Sequence, residues 1–206
     1  MRLLAFAASS SRNSINRRLI GYATGLITDE LGPAADLGVD VEILDLRDYE
    51  MPIYSIDREH EGGIPQQAKD FFERIGAADG LLLSLAEHNG LFTVAYKNVF
   101  DWASRIDMCV YQNTPTAMLA ASPGRGGGTN VLRVATASAP FFGAEVTGQL
   151  SVPSFNHTCD PETGAITDPE LDAELRTVLS GLLDAMVAAG SIEGDAGAAD
   201  DLDGEG

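Results

Sequence analysis

Lysine is almost missing from this chain. Lys69 and Lys97 are the only two, and all Lys and Arg residues together number 13 against 31 acidic ones, a formal net charge of −18. A surface this acidic repels the phosphate backbone, so nucleic acid is excluded as an expected partner. Cysteine is equally scarce: Cys109 and Cys159 stand alone without metal-ligand spacing, so neither a disulfide framework nor a zinc site is expected. No apolar run approaches the roughly 20 residues that cross a bilayer, and the short run at 3–8 leads into polar turn residues rather than a cleavage site. A soluble cytoplasmic protein with no membrane partner is the expectation. An acidic, lysine-poor surface over an ordinary apolar core also fits a halophilic, high-salt habitat, where screening weakens self-repulsion.

The 206 residues suit one domain, expected over 1–190. The remaining stretch, SIEGDAGAADDLDGEG at 191–206, is rich in Gly, Ala and acids with little to bury, and reads as a disordered, solvating tail. Within the domain, LLAFAA (3–8), GLLLSLA (80–86) and TAMLAAS (116–122) are near-continuous apolar runs, the pattern of interior strands covered on both faces. VDVEILDL (39–46) and AEVTGQL (144–150) alternate apolar with polar, as edge strands do. Between them lie patterns of three-and-four spacing: Ile15 to Ile27, Ile64 to Ile75, Ala95 to Ile106 and Leu171 to Met186, with a weaker one after Gly128. Strands alternating with helices predict an α/β fold with a five-stranded parallel sheet and right-handed crossovers. Placing the alternating strands at the edges gives the order 2-1-3-4-5, a flavodoxin-like three-layer sandwich. Ligands of such folds sit beyond the carboxyl ends of the strands near the switch point, which directs attention to loops 9–16, 87–93 and 122–128.

The first loop, SSSRNSIN, offers serine hydroxyls, turn amides and Arg12 at the positive end of a helix. Those are the donors that a dianionic phosphate monoester requires, although Ser14 or Asn13 also fits the plainer role of helix N-cap. Neither GxGxxG nor a Walker lysine pattern is present here, so a mononucleotide phosphate is favoured over a pyrophosphate at this loop. In the second loop, AEHNG at 86–90, Asn-Gly marks a turn whose backbone amides can also meet the edge of a flat heterocycle. His88 and Glu87 fit an acid and base pair, or local packing and subunit contact. The third loop, SPGRGGGTN at 122–130, reads either as a flexible connection or as a place where a ring approaches backbone that side chains would block. The helix after Asn89 carries two apolar stripes, Ala95, Val99, Trp102 and Ala103 on one side and Phe92, Tyr96 and Phe100 on another. One stripe faces the sheet, and the other implies either a dimer interface, the favoured reading, or burial beneath the 48–63 loop.

Taken together, "SSSRNSIN", "AEHNGLFTVAYKNVFDWASR" and "SPGRGGG" resemble the NADPH-dependent FMN reductase family, which also holds quinone and azo-dye reductases. The resemblance runs over about residues 1–190. It implies that Ser9, Ser11, Arg12, Ser14, Ile15 and Asn16 hold the FMN phosphate. It further implies that Ala86, Glu87, His88, Asn89 and Gly90 meet the pyrimidine side of the flavin, and that Ser122, Pro123, Gly124, Gly126 and Gly127 flank the ring. The family's commonest second loop is Pro-Glu-Tyr-Asn-Gly, so Ala86 and His88 depart from it, a change that bears on substrate more than on flavin. "KNVFDW" at 97–102 matches the family's dimer-interface helix, implying a homodimer or homotetramer through 91–105. The implied reaction takes a hydride from NADPH or NADH onto FMN and passes electrons to a small-molecule electron acceptor by a ping-pong cycle, with no obligatory catalytic side chain and no metal. Quinones, azo compounds, free flavin and metal oxyanions all fit as acceptors, with Pro52 and Tyr54 as a wall for them. Two rivals share the fold. An electron-carrier flavodoxin fits the acidity but typically has a Thr/Ser-Gly-Thr phosphate loop, and a phospho-acceptor domain needs a carboxylate at the end of an interior strand, where this chain has Ala8 and Ala86.

Overall fold

A computed structural model describes residues 1–199, with side chains through Ser191. Five strands form one parallel sheet: β1 (Arg2–Ala8), β2 (Asp40–Leu44), β3 (Gly80–Leu85), β4 (Thr114–Ala121) and β5 (Ala144–Val152). Their spatial order is β2-β1-β3-β4-β5, as the apolar runs predict. β3 and β4 are buried along their whole length and β1 all but its first residue, whereas most positions of β2 and β5 are accessible, with only Leu44 buried in β2. An interior strand has a helix layer on each face, so both of its side-chain sets must be apolar; an edge strand does not.

The period-two geometry of β1 divides the core. Leu4, Phe6 and Ala8 enter a cluster with Phe71, Leu83, Tyr96 and Val131, under helices α3 (Gln66–Gly76), α4 (Val94–Ala103) and α5 (Thr129–Ser138). Leu3, Ala5 and Ala7 enter the opposite cluster with Leu19, Ile20, Leu179 and Leu182, under α1 (Ile15–Leu26) and α6 (Pro169–Ala199). A short helix, α2 (Ile56–Gly62), lies in the crossover between β2 and β3. Residues 191–199 of the acidic segment continue α6, and 200–206, the rest of the expected tail, lie outside the described residues. No helix among the described residues is long and apolar enough to cross a membrane.

Candidate functional site

The three loops named from the sequence meet at the carboxyl ends of β1, β3 and β4. In the first, Ser14 caps α1 by accepting from Arg17 N at 3.4 Å, which settles the choice between Ser14 and Asn13. Ser9 is buried, and its hydroxyl accepts from Ser11 N at 3.2 Å, bracing the bend internally. Ser11, Arg12 and Asn13 are exposed. The backbone N–H groups of Arg12, Asn13, Ile15 and Asn16 have no acceptor among the described residues. Unpartnered donors beside a helix N-terminus form a cradle for a phosphate dianion, so this chain's residues fit the phosphate end of a mononucleotide.

Asn16 takes a different part from the one its place in the motif implies. Its side chain is buried and turned away from solvent: Oδ1 accepts from Ala121 N at 2.9 Å and from the Ser84 hydroxyl at 2.8 Å, while Nδ2 donates to Ala121 O at 3.1 Å. One amide thus ties the start of α1 to the ends of β3 and β4, and the Asn16 backbone N–H remains for a ligand. Sequence reasoning missed Ser84 because it lies inside an apolar run. Thr93 was missed too. It is buried, caps α4, and donates to Ala8 O at 2.9 Å, tying the second loop to the end of β1. Its only sequence signal is a threonine just ahead of a helical pattern.

The second loop is a small antiparallel hairpin in which Glu87 faces Phe92 and His88 faces Leu91. Asn89 (φ 53) and Gly90 (φ 82) both lie in the left-handed region, the requirement of a tight two-residue hairpin turn. The Glu87 carboxylate accepts from Val131 N at 3.0 Å, in the first turn of α5. A carboxylate there satisfies an orphan amide and meets the positive end of the helix dipole. Glu87 is therefore a bridge between the second loop and the start of α5 rather than a base facing substrate. His88 is exposed and makes no side-chain hydrogen bond among the described residues.

The glycines of the third loop fall into two kinds. A Cβ on Gly127 (φ +59) would stand 2.2 Å from Ser151 Oγ and 2.9 Å from Pro153 N, and one on Gly128 (φ +79) would stand 2.8 Å from Ala120 Cβ. Those two are glycines because the protein's own strand ends press on them. Around Gly126 there is nothing within 4 Å, and Gly124 has only Ser122 Oγ at 3.8 Å. These leave the open space that a ring would need. The bend is fixed, since Ser122 O accepts from Phe155 N and Gly124 O from Ser154 N.

The helix α4 departs in part from expectation. Trp102 is buried within the chain, and its Nε1 donates to Pro52 O at 2.7 Å while the Tyr54 ring packs edge-on against it at 5.0 Å. Asn98 accepts from Tyr54 N at 2.8 Å and donates to Met51 O and Pro52 O, both at 3.2 Å. Asn98 and Trp102 of "KNVFDW" thus brace the 51–54 segment of their own chain, while Lys97 and Asp101 pair with each other along the helix. Pro52 and Tyr54 are turned toward Trp102, and Met51 and Ile53 line the neighbouring cleft in their place. In the other stripe Tyr96 is buried with its hydroxyl 2.7 Å from that of Tyr111, while Phe92 and Phe100 stay partly accessible along an apolar groove with Phe142 and Met108. Burial pushes the Tyr96 hydroxyl well above its ordinary range and that of Tyr111 to about 12.

At the β2 side, Asp45 sits between two guanidiniums. Arg17 Nη1 lies 2.7 Å from Oδ2, and Arg47 grips the carboxylate side-on through Nε at 3.0 and 3.1 Å. The hydrogen bond from Arg47 is the chief reason that Asp45 is held down at about 2. No group of three or more metal-ligating side chains occurs among the described residues.

A doubly wound parallel sheet in the order β2-β1-β3-β4-β5, with a bend of unpartnered amides after β1 and two further loops after β3 and β4 at the same ends of the strands, has the flavodoxin-like arrangement. Residues 1–157 match the family described as NADPH-dependent FMN reductase. The chain belongs to that family, whose cofactor is FMN and whose reductant is NAD(P)H. It is 32% identical over 127 residues to an NAD(P)H-dependent FMN reductase of Pseudomonas aeruginosa, covering 62% of this chain and 63% of that protein. The shared stretch thus spans less than two thirds of that relative. It is 26% identical over 185 residues to a probable NADPH:quinone oxidoreductase of Oryza sativa, covering 88% of this chain and 87% of the relative. Among solved structures, a flavoenzyme NAD(P)H:(acceptor) oxidoreductase from Paracoccus denitrificans superimposes with a TM-score of 0.69 at 19% identity, covering 91% of this chain and 97% of that one, a likeness of fold.

Proposed function

We propose that residues 1–190 form an NAD(P)H-dependent FMN oxidoreductase that passes electrons to a small acceptor, a quinone or azo compound being the class its relatives' names support. The observation that carries this reading is the set of unpartnered amides at 12, 13, 15 and 16, at the same carboxyl end of the sheet as the open glycines 124 and 126. FMN, once bound, would supply the redox chemistry, hydride acceptance from the nicotinamide and electron delivery to the acceptor in a ping-pong cycle. The chain's part is to hold and orient. Arg12, Ser11 and the amides of Ile15 and Asn16 take the phosphate; the hairpin 87–92 presents backbone donors to the heterocycle edge; loop 122–127 walls one face. No side chain in the cradle is placed as a general base, because Glu87 is engaged by α5 and His88 faces solvent.

The test is direct. Purified protein soaked in FMN should be yellow, and anaerobic NADPH or NADH should bleach it, with colour restored by a quinone. Protein that stays colourless after soaking rejects the reading. Yellow protein that nicotinamide leaves oxidised favours the electron-carrier flavodoxin. The accessible groove along Phe92 and Phe100 supports pairing with a second copy through the 91–105 helix, which sedimentation would read. The acidic surface supports a high-salt habitat, and a melting temperature that rises with salt would agree.

A further inference from the structure

A cleft of about 770 Å³ adjoins the flavin cradle and overlaps it only at the first loop. It shares Ser10 and Arg12 with the first loop, but no residue of 86–90 or 122–128 lines it; its other walls are the 46–53 segment and the start of α4. The volume lies within the range of small-ligand sites. Its lining sorts into three chemistries. Arg12 and Arg47 are cations, and Arg12 forms no ion pair among the described residues. Arg47 is pre-set, because Asp45 engages its Nε and Nη2 and leaves both N–H groups of Nη1 without a partner. Arg17 shares the same carboxylate and Asp48 also acts on Arg47, so the group is close to neutral, in contrast to the chain's net −18. Asp48 and Glu50 also line the cleft; they repel phosphate and accept from hydroxyl or amino groups. Met51, Ile53 and Val94 add apolar wall, and Ile53 and Val94 are 63% and 69% exposed.

A guanidinium for phosphate, which with Arg12 on the flavin phosphate is Arg47, acceptors for sugar hydroxyls and an apolar wall for a flat base are the three requirements of a nucleoside diphosphate. We propose that this cleft holds the adenosine diphosphate half of the nicotinamide dinucleotide, with Arg47 as its pyrophosphate anchor. The inference rests on the reductase reading and adds a site to it. The planar fork of Arg47, fixed by Asp45, binds a phosphate with little further loss of side-chain freedom. The cleft runs from the first loop to the residue after the α4 cap. A dinucleotide seated there extends toward the hairpin that faces the flavin edge.

The experiment is calorimetric titration of ADP into the FMN-loaded protein, beside Arg47→Gln and Arg47→Lys. Wild type should bind ADP. Arg47→Gln should weaken ADP about tenfold and raise KM for NADPH and NADH by a similar factor, with FMN affinity unchanged. Arg47→Lys keeps a charge beside Asp45 but loses the fork, so it should fall between them and serves as the readout if the glutamine variant does not fold. Undetectable ADP binding by wild type, or equal affinity in all three proteins, overturns the proposal. A parallel loss of FMN affinity overturns it as well, by moving Arg47 to the flavin phosphate, and a rise in KM for NADPH alone overturns it in favour of a 2′-phosphate contact. Failure of the reductase reading itself is distinguishable, since it shows as FMN that nicotinamide does not bleach in wild type.

Discussion

The two flanks of the site are built from opposite materials. On the β3–β4 flank, Asn16, Ser84, Thr93 and Glu87 join α1, α4, α5 and three strand ends through hydrogen bonds, most of them between buried groups. On the β2 flank, Arg17, Asp45 and Arg47 join through ion pairs at the surface, where Arg17 keeps 45% of its side chain exposed and Arg47 37%. A buried donor or acceptor left unmade costs about 1–3 kcal/mol, whereas an exposed ion pair contributes roughly 0–1 kcal/mol. The first flank therefore fixes shape. The second sets charge, and it can change without disturbing the flavin cradle.

Removing the buried amide should break this contrast most sharply. Asn16→Ala orphans Ser84 Oγ and both backbone groups of Ala121, so we expect a loss of about 2–4 kcal/mol, read as a drop of roughly 5–12 °C in melting temperature. FMN binding should weaken with it. Asn16→Asp sharpens the point. The neutral acid can donate to Ala121 O as the amide does, but the carboxylate opposes that carbonyl. Its folded-state pKa must therefore be raised, its stability retained at low pH and lost as pH rises through that value. A melting temperature that ignores pH between 4 and 8 would contradict the contact.

The third loop offers the next largest effect. Gly127→Ala must move Ser151 and the Pro153 backbone and hold alanine at positive φ, so about 2 kcal/mol of stability should go; Gly126→Ala meets nothing and should leave the melting temperature within a degree or two. Equal melting of the two variants would refute the division between packed and ligand-facing glycines. Glu87→Gln should cost about 1 kcal/mol, because the amide oxygen still accepts from Val131 N but no longer opposes the helix dipole with a full charge. By contrast, His88→Ala should leave stability and bound FMN untouched and alter turnover alone, and a colourless variant would show the hairpin's role to be different.

The smallest effect belongs to the surface cluster. Asp45 is held at about 2 against an ordinary 3.8, so its contribution is complete above pH 4 and is lost as pH falls toward 2. Because the partners are exposed, acid should release less than about 1 kcal/mol here, and salt should shrink that further. Titration of Asp45 by NMR would check it; a midpoint near 3.8 would mean that Arg47 does not hold the carboxylate.

Much of the cradle was legible beforehand because its signals are local. Ser14 before a helical pattern reads as a cap, and Asn89-Gly90 reads as a turn whichever fold surrounds them. Asn16 and Glu87 were legible as important but not for what they do. Their partners, Ala121 and Val131, lie 105 and 44 residues away, and no periodicity records such a distance. Trp102 shows the same limit: the sequence displays two apolar stripes on α4, and only folding the 51–54 segment over the helix shows that its own chain covers one of them.

The sequence by itself determined the sheet order and which strands lie inside, since continuous and alternating apolar patterns answer directly to how many faces a strand must bury. It also determined where phosphate donors gather, because a serine-rich bend at a helix start carries its chemistry locally. Only the tertiary structure decided which polar groups are left for a ligand. A donor already satisfied by a distant carbonyl or carboxylate is spent, and that pairing exists only once the chain has closed on itself.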